Sequence, residues 1–224
     1  MKKNFSILFF TLFLSSFVFS INLFSYAGAG VLPYCCVEGK AYFFFAQDGE
    51  SKNSLWGDLG GELDVERDLN PEDTAARLAY EGSMGIFSGH SVYPMINFEQ
   101  GKKFFKDKLD RNMCVEYPQE PSYCLYFVEV PDKPMCDFVN CLYRNQNKLN
   151  IGLNYENYTR RTKFAWVKAE ELLSAINKTK SKKCPIWLSS VPYLCKITLN
   201  SYLSNELRTP EAIKIIEKVI NEGA

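Results

Sequence analysis

The chain has 224 residues, 46% hydrophobic, 15% aromatic and 23% charged, with 26 Lys+Arg against 26 Asp+Glu. That is enough for one domain with a proper core, or at most two small ones, and too apolar for a disordered chain. The balanced charge excludes the basic footprint of a dedicated nucleic-acid binder, and a single histidine, His90, excludes multi-histidine metal sites.

Taken in chain order, residues 1–27 read as a secretory signal. Lys2 and Lys3 supply a positive start, an apolar stretch runs from Ile7 to Phe24, and Ser25-Tyr26-Ala27 forms a small-residue exit. Cleavage is expected after Ala27, leaving 24 cations against 26 anions in an exported, periplasmic or secreted protein. An uncleaved anchor is the alternative, since about 18 largely apolar residues nearly span a bilayer. With the signal removed, no membrane partner is expected.

Strands are expected at Gly30–Cys36 and Lys40–Gln47, joined by a tight turn at Val37-Glu38-Gly39, and at Leu55–Leu59, stopped by Gly60-Gly61. A helix follows with clear punctuation: Asn70 as cap, Pro71 in its first position and the acids Glu72 and Asp73 at the positive end of its dipole. It should end near Gly82 or Ser83. Met113–Tyr117 and Tyr123–Val130 form a hairpin, Lys133–Tyr143 a helix, Thr162–Val167 a strand and Lys168–Asn177 a helix. Two helices close the chain, near Leu194–Leu203 and Pro210–Asn221. The pattern is α+β, with a mixed sheet and helices on its faces. The Lys178–Lys183 run is either a phosphate-binding or a solvated cationic loop.

Eight cysteines are many for this length, and an oxidising compartment permits disulfides. There is no C-x-x-C pair. A bridge from Cys114 to Cys124 across the hairpin is one candidate and Cys184 to Cys195 a second; the alternative is that these are small buried hydrophobes. No P-loop or G-x-S-x-G motif is present. Trp56, Tyr34, Phe43 and Phe45 are candidates either for stacking on a base or for the core.

The informative stretch is Trp56-Gly57-Asp58-Leu59-Gly60-Gly61, a gap, then Asn70 to Gly85 with Arg77 and Glu81 on the capped helix. It resembles the Nudix hydrolase superfamily, whose box reads G-x5-E-x7-R-E-U-x-E-E-x-G-U with U aliphatic. The likeness reaches upstream to Ala29-Gly30-Val31-Leu32-Pro33-Tyr34 and downstream to Phe164-Ala165-Trp166-Val167 and Glu170-Glu171-Leu172-Leu173. It implies a Nudix-like α/β/α sandwich over residues 28–177, with 178–224 a C-terminal helical extension packed on the same domain. It further implies magnesium- or manganese-dependent hydrolysis of a nucleoside diphosphate linked to another group. The physical basis is plain: magnesium wants hard oxygen ligands, and carboxylates spaced i, i+3 and i+4 on a helix share one face.

The box is degenerate. Gly61 and Arg77 are 16 positions apart where the pattern has 14, and the box glutamates fall on Leu69, Leu78 and Gly82, with only Glu81 retained. Met84 stands at the box glycine. If activity persists, Glu81, Glu66 and Glu156 are the catalytic candidates. Glu81, Glu62 and Glu66 are then the metal candidates, with Asp64 and Asp68 in reserve. Gly60, Gly61, Arg77 and Trp56 are the substrate-binding candidates. Otherwise the fold is kept as a non-catalytic module for a nucleoside diphosphate-type small molecule or a protein partner.

Overall fold

The computed structural model describes residues 26–49, 55–89, 97–117, 122–133, 161–179, 181, 183–188 and 196–223. The expected helix at Lys133–Tyr143 and the candidates His90, Glu156 and Cys195 lie outside them, apart from Lys133 itself.

Nine strands and five α-helices are described. The first hairpin joins β1 (Tyr26–Val37) to β2 (Lys40–Asp48) through Glu38 and Gly39, both left-handed at φ 50° and 73°. That pair of conformations matches the twist of the flanking strands. Because β1 starts at Tyr26, cleavage after Ala27 would remove two of its residues, including the carbonyl of Ala27 that accepts from the Leu63 N–H at 2.9 Å.

The expected strand at Leu55–Leu59 is instead two short ones, β3 (Trp56–Gly57) and β4 (Leu59–Glu62), broken at Asp58. β3 pairs with β2 and β4 with β1, so Gly60 and Gly61 lie inside a strand rather than ending one. The reason is steric. A Cβ on Gly60 would collide with the Tyr123 hydroxyl, and one on Gly30 opposite would collide with the Asp58 carboxylate. These glycines let polar side chains lie flat on the sheet.

α1 (Pro71–Gly82) begins as its sequence requires, with Asn70 Oδ1 accepting from the Asp73 N–H at 2.8 Å. After it, Met84 at φ 54° and Gly85 at φ 69° turn the chain away. α2 (Phe98–Lys106), unexpected from sequence, crosses α1 where Gly101 lies against the Tyr80 ring. β5 (Cys114–Tyr117) and β6 (Ser122–Glu129) form the second hairpin, and β6 runs parallel to β1. β7 (Arg161–Lys168) pairs antiparallel with β2, followed by α3 (Ala169–Lys178). β1–β7 make one seven-stranded mixed sheet.

The tail differs from expectation. Where a helix over Leu194–Leu203 was expected, β8 (Pro185–Trp187) pairs with β9 (Lys196–Thr198), and α4 (Ser201–Glu206) starts only after Asn200 caps it. Ile197 faces Ile186 across this small sheet, and that cross-strand pair decides the local structure. α5 (Pro210–Gly223) closes the chain.

Alternation along the large sheet sorts its side chains into two cores. Leu32, Phe43, Phe45, Leu125, Phe127 and Val167 pack under α3 and α5. Val31, Phe44, Ala46, Tyr126 and Val128 pack under α1 and α2. The expected α/β/α sandwich with a mixed sheet is therefore observed. Among the described residues no helix is long and apolar enough to cross a membrane.

Neither candidate disulfide is formed, and the alternative of small free thiols is what the structure has. Cys114, Cys124 and Cys184 are free thiols. Across the hairpin Cys114 is opposite Tyr126 and Cys124 opposite Glu116, so the two cysteines are diagonal neighbours. Diagonal Cβ atoms lie about 7 Å apart, against about 3.8 Å in a disulfide.

Candidate functional site

The cleft of ≈ 750 Å³ opens where β4, the following loop, α1 and the start of β7 meet. β4 supplies Gly60, Gly61 and Glu62. Residues 63–69 form a compact turn, in which the Asp64 carbonyl accepts from the N–H groups of Arg67 and Asp68 and Asp64 Oδ1 accepts from the Glu66 N–H at 3.1 Å. α1 presents Arg77, Leu78, Glu81 and Gly82, three and four residues apart and so on one face. Arg161, at the start of β7, donates to the Gly60 carbonyl at 2.9 Å.

An ion-pair lattice fills the inner wall. Arg77 Nη2 lies 2.6 Å from Asp68 Oδ2 and its Nε donates to the same carboxylate at 2.9 Å, while Nη1 is 3.4 Å from Glu81 Oε2. Arg67 Nη2 donates to the other Glu81 oxygen at 3.0 Å. The Thr74 hydroxyl donates to Asp68 at 3.0 Å. Burial alone would raise the Asp68 carboxyl, but the hydrogen bonds and charge of Arg77 outweigh it and hold that group below the usual carboxylate range. Burial works against the charge on Arg77 too, and Asp68 and Glu81 overcome it, keeping the guanidinium more firmly protonated. Behind this wall Asp73 binds Lys106 at 2.7 Å and Lys102 at 3.7 Å, which ties α2 to α1.

The lattice decides what the cleft can hold. Both Glu81 oxygens are engaged by guanidinium groups. The Leu78 methyl groups lie 3.5–4.0 Å from where a Cβ on Gly61 would stand, so that part of the cleft is closed with hydrocarbon. Among the described residues no three of His, Cys, Asp and Glu are placed to hold a metal. A magnesium ion needs several hard oxygens in near-ideal array, and this donor set does not fit it.

The sequence candidates separate accordingly. Gly60, Gly61, Glu62, Glu66, Arg77 and Glu81 line one cleft, but the described acids do not converge as a ligand group. Trp56 is 3% exposed in the core beneath α3 and α5, and does not line the cleft. Tyr34, Phe43 and Phe45 are core as well, with the Phe43 ring edge-on to Phe127 at 6.0 Å. Arg67 and Arg161 were not anticipated. No local signal marks them, because one sits in a loop and the other reaches the cleft only through the pairing of β7 with β2.

No family model and no curated protein matches this chain. Solved structures of Nudix-type proteins are similar to it at low identity. An Ap4A hydrolase of C. elegans is 12% identical, covering 66% of this chain and 82% of that one, with a TM-score of 0.36. A MutT/nudix family protein from Enterococcus faecalis is 11% identical, covering 88% and 61%, with a TM-score of 0.41. Shewanella oneidensis NrtR, solved in complex with a 27mer DNA, is 11% identical, covering 66% and 52% at a TM-score of 0.35.

Proposed function

We propose that this chain is an exported, non-catalytic module on a hydrolase-type scaffold, binding a nucleoside diphosphate-type small molecule in the cleft. The observation that carries the reading is the engagement of both Glu81 oxygens by Arg67 and Arg77. A carboxylate neutralised in that way is a poor metal ligand, and the same guanidinium groups make the cleft a place for anions. Arg67 has a side chain 40% exposed, and Arg161 lines the same cleft. Planar guanidinium groups in one cleft suit the paired oxygens of a diphosphate. Recognition of this kind needs no divalent ion.

The test is thermal denaturation of the protein with a panel of nucleoside diphosphate derivatives, in EDTA and in magnesium. A ligand that binds only the folded state raises Tm as its concentration rises. The expected result is a shift of equal size in both buffers that is lost in Arg161→Ala. A shift seen only with magnesium would instead support the divergent-hydrolase reading, in which loop acids such as Glu62 and Glu66 join Glu81.

A second reading has its own observation. Val65 and Leu69, at the tip of the loop beside the cleft, are 64% and 80% exposed. Two exposed apolar side chains on one loop favour a protein partner. No shift with any nucleotide would move the proposal to that reading.

A further inference from the structure

Glu81 stands between two guanidinium groups that are held in different ways. Arg77 is locked. Its side chain is 6% exposed, and its Nε and Nη2 donate at 2.9 and 2.6 Å to the fully buried Asp68 carboxylate. Arg67 has a pinned backbone and a turnable side chain. The Asp68 N–H donates to the Asp64 carbonyl at 2.8 Å and the Asp64 N–H to Asp68 Oδ2 at 3.2 Å, which fixes the turn that carries it. The side chain is 40% exposed and held at its tip: Nη2 donates to Glu81 Oε1 at 3.0 Å, and the guanidinium lies over the Phe98 ring at 5.3 Å. Of the two arginines, Arg67 is therefore the one that can swing on its long stem to meet a ligand without leaving Asp68 unpaired. Glu81 cannot follow it. It is 4% exposed in the last turn of α1, and its second oxygen stays 3.4 Å from Arg77 Nη1.

We propose that Glu81 is an internal competitor for the ligand: an incoming diphosphate takes Arg67 from Glu81, whose carboxylate is left with Arg77 alone. The inference rests on the reading of the cleft as a diphosphate site. No covalent bond forms or breaks in the exchange. A diphosphate offers several charged oxygens to a planar guanidinium fork where Glu81 offers one, so the polyanion wins Arg67. A monocarboxylate would only replace one such contact with another, and Glu81 thereby selects for highly charged ligands. The exchange has an electrostatic cost. Asp68 and Glu81 then share the Arg77 guanidinium, and Lys102, 4.0 Å from Asp68, supplies part of the missing charge. Glu81 thus lowers the affinity of the cleft, and its charge is what must be overcome.

The experiment titrates the full chain with inorganic pyrophosphate in EDTA by isothermal calorimetry, in the wild type, Glu81→Gln, Arg67→Ala and the double variant. Glu81→Gln keeps the shape of the side chain and leaves Arg77 its Asp68 partner. It should bind pyrophosphate about fivefold more tightly, the contribution of one partly exposed ion pair. With Arg67→Ala already in place the same change should alter affinity by less than about twofold, since the guanidinium competed for is gone. Nitrogen-15 NMR of the wild type reads the exchange without altering Glu81. The Arg67 Nε–H signal should move on saturation with pyrophosphate, and that of Arg77, bonded to Asp68, should stay. Equal or weaker binding by Glu81→Gln, or tightening of the same size without Arg67, would overturn the competition while leaving the cleft a diphosphate site. So would an Arg77 signal that moves while Arg67 stays. Pyrophosphate that binds none of the four proteins would overturn the reading of the cleft itself, and the inference with it.

Discussion

Two acids of similar low exposure, Asp68 in the cleft and Asp58 on the opposite face of the sheet, are shifted in opposite directions. In the cleft, Asp68 is 6% exposed and Glu81 4%. On the other face, Asp58 is 8% and Glu206 3%. Asp68 meets a guanidinium at 2.6 Å, which outweighs its burial and holds its carboxyl below the ordinary range. Asp58 instead accepts from the Tyr123 hydroxyl at 2.6 Å; burial raises its carboxyl, and Tyr123 and Arg161 only oppose that rise. Glu206 is pushed up to about 8, first by burial and then by the charges of Asp58 and Cys114. At similar low exposure, burial raises all three carboxyls, and only a facing guanidinium, as at Asp68, outweighs it.

The largest expected effect comes from removing the shared cation. Arg77→Ala leaves Asp68 buried without its guanidinium and Glu81 with only one, and should cost about 3–5 kcal/mol in urea denaturation. Next, Gly60→Ala forces a methyl group against Asp58 and Tyr123 and should cost about 1–3 kcal/mol. Gly61→Ala is the contrast: its Cβ would stand 3.5 Å from Leu78, an ordinary contact, so the loss should be smaller in the same assay.

pH separates the clusters by sign. Glu206 has a folded pKa above its unfolded one, so the native state holds an extra proton between about 4.3 and about 8, and stability falls as pH rises through that window. Glu206→Gln should flatten that slope in melting curves. Asp68 has the opposite sign: its contribution is present above the unfolded value of about 3.9 and is lost as pH falls through its lowered folded pKa. Smallest of all, Arg67→Ala should cost at most about 1 kcal/mol, because that guanidinium is 40% exposed and screened. Its effect should appear in ligand affinity instead.

How much of this was legible in the sequence follows from how local each determinant is. The Asn70 cap, Pro71 and the acidic first turn fixed α1 within one residue, since capping is a contact between neighbours in the chain. The Glu38-Gly39 turn was legible for the same reason. Gly60-Gly61 misled because a double glycine usually breaks a strand, and here Gly60 clears room for the hydroxyl of Tyr123, which donates to Asp58, 65 positions earlier in the chain. α2 was missed because Gly101 weakens its pattern, although that glycine is where Tyr80 packs. In the site, Gly61, Arg77 and Glu81 were singled out by the resemblance to the box rather than by spacing, and they line one cleft. What the sequence concealed was their chemistry, because Arg67 and Arg161 enter the cleft through loop geometry and strand pairing.

The central proposal is that Glu81 serves guanidinium groups rather than a metal ion, its two oxygens being engaged by Arg67 and Arg77. The most direct test incubates the protein with magnesium or manganese and a mixed panel of nucleoside diphosphate derivatives, reads products by mass spectrometry and includes Glu81→Ala as control. The account predicts no product from the folded wild type, and binding that survives EDTA. Metal-dependent turnover that disappears in Glu81→Ala would contradict it, and would return Glu81 to the role of a metal ligand.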